Sequence, residues 1–220
     1  MFARDYRQQA WQALNKKWGV AILSFLVYSL IYGAVSSITG IGGLIIGGPL
    51  CIGYTAILLT IIRGGDAKIE QMFENFSGRF VSDLGVFVLQ YLYLLLWSLL
   101  FIIPGIVKSY SYAMSYYIHC DNPELGPNEV ITRSRQMMDG HKWQLFCLHF
   151  SFFGWILLSM LTCGLLFFMV TPYMNAATAA FYENLKREEL IAQGIDPDAT
   201  EATFEEVPAV ESADQTTETI

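Results

Sequence analysis

Leu84–Ile103 reads LGVFVLQYLYLLLWSLLFII, twenty residues without a formal charge and with Gln90 as the one strongly polar side chain. At 1.5 Å per residue such a helix is about 30 Å long, the thickness of the hydrocarbon core of a bilayer. A soluble helix needs a polar face, and this stretch has none. It is therefore expected to span a membrane.

The neighbouring sequence repeats the pattern on both sides. Val20–Ile38 is uncharged and long enough to span, and it exceeds the apolar region of a cleaved signal peptide, so a retained first helix is expected. Ile41–Ile62 is a second uncharged run, with Gly42, Gly43, Gly47, Gly48 and Pro49 in its first half. Gly43 and Gly47 form a G-x-x-x-G pair suited to close helix approach, while Gly48-Pro49 fits equally a helix that starts late. Leu145–Cys163 and Leu165–Phe181 form an apolar hairpin with Thr162-Cys163-Gly164 as its turn. Ahead of the first run, Phe2, Tyr6, Ala10, Leu14 and Trp18 recur every four residues, which reads as an amphipathic lead-in lying in the headgroup interface.

After Pro104-Gly105 comes a different stretch. Ile106–His119 mixes Lys108, Ser109, Ser111 and Ser115 with Tyr110, Tyr112, Tyr116 and Tyr117, too polar to face lipid. It is expected to be a short crossing shielded by other helices, or a re-entrant element. The distribution of bases favours the crossing. With six crossings and both termini cytoplasmic, the inner segments hold every Lys and Arg except Lys108, as the positive-inside rule requires. Lys108 then falls near the outer end of the fourth helix. Either it snorkels to outer headgroups or it is held inside the bundle, with Tyr112, Tyr116 and Gln90 as partners in a polar membrane site.

Between the fourth and fifth crossings, Pro127 and Glu129 suit a helix start and Gly140 a stop, and Val130, Ile131, Ser134, Met137 and Met138 give an apolar stripe. This is expected to be a cytoplasmic interfacial helix. Arg133, Arg135, His141 and Lys142 are candidates for contacts with anionic headgroups or phosphate, with ordinary positive-inside anchoring as the plainer reading. The fold class is thus all-α: a polytopic transmembrane bundle of about six crossings plus one interfacial helix, spanning residues 1–187.

Residues 188–220 hold 10 of the 20 acids and none of the 13 bases of the 220-residue chain, so the acidic pI belongs to the tail. They are expected to be a disordered cytoplasmic tail. Nothing resembles a nucleic-acid-binding stripe. Cys51, Cys120, Cys147 and Cys163 make no C-x-x-C pair, and His119, Asp121 and His141 match no metal motif, so no metal and no cofactor are expected. No Walker A loop, G-x-S-x-G elbow or H-E-x-x-H occurs, and no catalytic residue is assigned.

Several stretches together resemble a known family. They are Ile103-Pro104-Gly105-Ile106, Tyr112-x-Met114-x-x-Tyr117, Asp121-Asn122-Pro123-Glu124, Ser134-Arg135-x-Met137-Met138-x-Gly140-His141-Lys142-Trp143, Phe146, Ser151-Phe152-x-Gly154-Trp155, Pro172-Tyr173 and Phe181-Tyr182. The chain resembles the bacterial integral membrane family called domain of unknown function 975. Phe167-Phe168 stands where that family is richer in tryptophan. The resemblance implies a multi-pass plasma-membrane protein and supplies no reaction, ligand or catalytic residue.

The expected role is a non-enzymatic accessory or scaffold protein of the bacterial envelope. Its partners would be the bilayer, anionic headgroups, and a second membrane protein or another copy of itself. Transport or flipping of a small amphiphile past Lys108 is one alternative. An enzyme for lipid-linked phosphates, resting on the basic helix, is another.

Overall fold

A computed structural model of the chain describes residues 3–15, 17–39, 42–74, 79–100, 102–162, 164 and 166–194. Among these every regular element is a helix. Four stretches have the length and apolarity to cross a membrane: Trp18–Ser37, Ile45–Ile62, Phe80–Leu99 and Lys142–Leu161. The expected count of six is not reached on length and composition. Residues 1–183 form one compact unit. Residues 184–220 form another, described only to 194 as the end of the last helix, so most of the acidic tail lies outside the described residues.

Helices α2 (Trp18–Thr39) and α3 (Gly42–Ile62) form the first hairpin. α3 is continuous with Pro49 inside it, so the late-start reading of Gly48-Pro49 does not hold. Its glycines admit neighbours on two sides. A Cβ on Gly43 would collide with Ser36 of α2, and one on Gly47 would lie 3.1 Å from the Tyr32 ring. On the other side a Cβ on Gly48 would lie 2.8 Å from the Phe87 Cβ. α3 ends at Gly64, whose φ of 83° is open to glycine at little cost, and Lys17 donates its ammonium to the Gly64 and Gly65 carbonyls left free there.

α1 (Ala3–Leu14) carries the expected stripe, but Tyr6, Ala10 and Leu14 are buried in protein and do not face headgroups. Tyr6 meets Phe181 edge-on at 5.1 Å. An amphipathic stripe needs an apolar cover, and here the bundle supplies it.

After the one-turn helix α4 (Gln71–Glu74), α5 (Phe80–Leu100) runs out and the chain comes back along it. The return is two helices, α6 (Ile102–Ser111) and α7 (Ser115–Asp121), and not the single short helix expected. A side chain from another helix marks the break. The Ser111 carbonyl accepts the Ser134 hydroxyl at 3.0 Å, and the Ser115 N–H turns instead to the Tyr112 carbonyl at 3.1 Å. The pairs Ser98–Gly105, Tyr93–Tyr112, Phe87–Tyr116 and Asp83–His119 mark the antiparallel register from tip to base.

α8 (Pro127–Met137) starts where its proline and Glu129 indicated, with the Glu129 carboxylate accepting the Gly126 N–H at 3.2 Å. Its apolar stripe, however, is not interfacial. Val130, Ile131 and Ser134 are buried, and α8 packs on α5 and α7. α9 (Lys142–Phe150) and α10 (Phe153–Leu161) follow, parted by a turn at Ser151-Phe152. Gly164, at φ 84°, turns the chain into α11 (Phe167–Ala192), as the sequence indicated. Ala176, Ala177, Ala179 and Ala180 are buried and let α11 approach closely, and Tyr173 packs among Trp11, Trp18 and Phe152.

Candidate functional site

Three groupings of polar side chains stand out. The first lies at the base of the α5–α7 return. The Asp83 carboxylate and the His119 imidazole Nε2 are 2.9 Å apart, each side chain 1% exposed. Their other polar atoms, Asp83 Oδ2 and His119 Nδ1, have no hydrogen-bond partner among the described residues, and neither do the Ser115 hydroxyl and the Gln90 carbonyl on the same two elements. Buried polar groups of this kind are where an ordered water finds partners. The sequence reading missed the pair, because Asp83 sits just before the apolar run. Folding the chain back on itself at the α5–α6 tip would have found it, since Asp83 and His119 are about equally far from that tip.

The second grouping is a clasp. Arg63, in the turn after α3, donates to Asp121 at 2.7 and 2.8 Å and to Glu183 at 2.8 Å, while the Tyr182 hydroxyl donates to Asp121 at 3.0 Å. Burial opposes the charge on the guanidinium, but Glu183 and Asp121 outweigh it and raise its pKa above the ordinary arginine range. It stays ionised. The clasp ties the ends of α3 and α7 to the middle of α11.

The third grouping is basic. The Lys108 ammonium sits 4.7 Å from the centre of the Trp97 ring on α5. Lys142 has Asp139 3.8 Å away. Arg133 is about 200° further round α8 from Arg135, both are exposed, and His141 is half-buried at the turn before α9.

The residues of the proposed polar membrane site lie along α5 and the chain returning beside it. Lys108 meets Trp97 at 4.7 Å, Tyr112 is buried with its ring 6.1 Å from Tyr93, Tyr116 stacks 6.3 Å from Phe87, and Gln90 is buried between the last two levels on α5. No three His, Cys, Asp or Glu side chains gather as a metal site among the described residues.

With these positions fixed, comparison with known proteins adds one finding. Residues 100–189 match the family model described as protein of unknown function (DUF975). This is the family that the motifs from Ile103 to Tyr182 resemble. The matched segment contains Lys108, Tyr112, Tyr116, Arg135 and Lys142, together with Asp121, His119 and Glu183. Arg63, Asp83 and Gln90 lie before it. No curated protein and no solved structure matches the chain.

Proposed function

We propose that the protein is a multi-pass plasma-membrane protein of the bacterial envelope, with both termini cytoplasmic. It acts as a non-enzymatic accessory or scaffold that contacts lipids and other membrane proteins. The carrying observation is where apolar side chains are left uncovered. Around the α5–α6 tip, Leu99 is 80% exposed and Ile103 76%, and α10 leaves Met160 and Leu161 exposed as well. At the other end of α5 the polar side chains are paired in the clasp and in the Asp83–His119 hydrogen bond. Such a division suits hairpins dipped into lipid from a polar base.

Six membrane-inserted legs follow from three hairpins: α2–α3, α5 with α6 and α7, and α9 and α10 with α11. The middle hairpin enters less deeply than a full crossing. From Lys108 to the start of α6 at Ile102 is about 10 Å of helix, so a Lys108 held at headgroup level leaves a tip within the near leaflet. The alternative is the transport reading, with Lys108, Tyr112, Tyr116 and Gln90 along one path; Lys108 and Tyr112 face α5 one helical turn apart.

Photo-cross-linking from the exposed tip, at Leu99 or Ile103, in native membranes tests the scaffold role. A reproducible protein or lipid adduct is expected. Recovery of uncross-linked protein alone under several growth conditions would refute it.

A further inference from the structure

We infer that the buried polar side chains between α5 and α7 hold a short row of ordered water molecules, running from the Asp83–His119 bond to Gln90. None of Asp83, His119, Ser115 and Gln90 is more than 7% exposed, and each has a buried atom without a hydrogen-bond partner among the described residues. Each such atom left dry costs free energy that a bridging water recovers. The row depends on how α5 packs on α7 and not on the membrane reading.

The four residues face one seam. Asp83 and Gln90, seven residues apart on α5, lie within about 20° of each other round the helix, and Ser115 and His119, four apart on α7, within about 40°. The Asp83–His119 bond at 2.9 Å and the Phe87–Tyr116 stack at 6.3 Å join the two faces. Ser115 then lies about 6 Å along the seam from His119, and Gln90 about 4.5 Å beyond it. Both steps are too long for a direct hydrogen bond, and they fit one water with a bond of about 2.8 Å on either side.

The free hydroxyl of Ser115 is an exception among the serines of the bundle. Ser24, Ser29, Ser37, Ser111 and Ser159 each donate to the carbonyl four residues back in their own helix. For Ser115 that carbonyl belongs to Ser111, on the far side of the break between α6 and α7, and it accepts the Ser134 hydroxyl instead. The chemistry of the unpartnered atoms names the guest. Asp83 Oδ2 and Gln90 Oε1 only accept, a neutral His119 donating from Nε2 accepts at Nδ1, and the Ser115 hydroxyl does both. The set is short of donors. Water brings them and an anion does not, while a hard cation gathers its oxygens at about 2.3–2.6 Å and calls for a cage, not a row spread over about 10 Å of helix.

The test uses the full-length protein in detergent. An experimental map fine enough to show ordered solvent is expected to hold density between His119 and Ser115 and between Ser115 and Gln90; a seam without it overturns the row. Melting gives an independent reading. Ser115→Ala and Gln90→Met are each expected to lower the melting temperature by roughly 2–4 °C, the effect of about one hydrogen bond. The double variant is expected to lose less than the two falls added, because both changes release the same water. Ser24→Ala, whose hydroxyl is bonded within α2, is the control and adds fully to Gln90→Met. Single variants melting at or above wild type would show the groups to be dry, since an apolar side chain in place of an unpaired polar one stabilises. That result overturns the row, as do fully additive falls for Ser115→Ala and Gln90→Met. A melting temperature higher in sodium chloride than in choline chloride at equal ionic strength marks a metal ion in the seam and overturns it as well.

Discussion

Replacing Gly48 by alanine tests the helix packing at its tightest point between α3 and α5. The new Cβ would lie 2.8 Å from the Phe87 Cβ and 3.2 Å from the Asp83 carbonyl oxygen. Neither atom can swing aside, because one is backbone and the other is fixed to it. Relief requires moving α5, which carries Asp83 and its buried bond to His119. Overpacking of this kind costs about 1–3 kcal/mol. Alanine also regains up to about 1 kcal/mol over glycine inside a helix, less here because a residue before proline resists the helical conformation. The net is a loss of about 1–2 kcal/mol. For a chain of 220 residues, at about 2–4 °C per kcal/mol, the melting temperature falls by roughly 2–8 °C. Gly33 on α2 is the internal control, since nothing lies within 4 Å of its Cβ position, and Gly47→Ala falls between, 3.1 Å from the edge of the Tyr32 ring and 3.5 Å from the tip of the Phe87 ring. The assay follows a maleimide dye reacting with the cysteines of the detergent-purified protein as it is heated. The expected order is Gly33→Ala at or above wild type, then Gly47→Ala, then Gly48→Ala. A Gly48→Ala variant melting at or above wild type would refute the packing argument.

Three further outcomes are expected. Asp83→Ala leaves His119 unpaired in the core and should cost about 1–3 kcal/mol, while the double variant Asp83→Ala/His119→Leu recovers much of it; chemical or thermal melting of the single and double variants checks this. Arg63→Ala leaves the Asp121 and Glu183 carboxylates side by side without their cation, a loss of about 1–3 kcal/mol, and Arg63→Lys restores only part because lysine lacks the fork that reaches both acids; the same melting assay ranks the three proteins. Tyr173→Phe removes the hydroxyl that donates to the Arg7 carbonyl at 3.0 Å, about 0.5–1.5 kcal/mol, and loosens α1, so trypsin should cut faster after Arg4 and Arg7 with the rest of the digest unchanged.

Much of this architecture was legible in the residues. Long uncharged runs located the four membrane-length stretches, and Gly164, Pro127 and Glu129 marked a turn and a helix start by conformational needs that act locally. What escaped depends on partners distant in sequence. An apolar stripe states that something must cover it, but whether that is lipid or protein is decided elsewhere, and for Tyr6 and Val130 it is protein. The break between α6 and α7 turns on the Ser134 hydroxyl, 23 residues from the carbonyl it occupies. The Asp83–His119 pair follows from hairpin register, which the apolar run implied but which had to be folded to be read.

The clasp also orders events during synthesis. Arg63 leaves the ribosome long before its second acid, because Glu183 comes 120 residues later. At about 5–20 residues per second, that is roughly 6–24 s. Throughout that interval the first hairpin is complete while its terminal guanidinium has at most Asp121 to hold it. The end of α3, held meanwhile by Lys17, therefore gains its last partner only when residues 1–183 have been made. A nascent chain truncated before Glu183 would carry its first hairpin with that latch half closed.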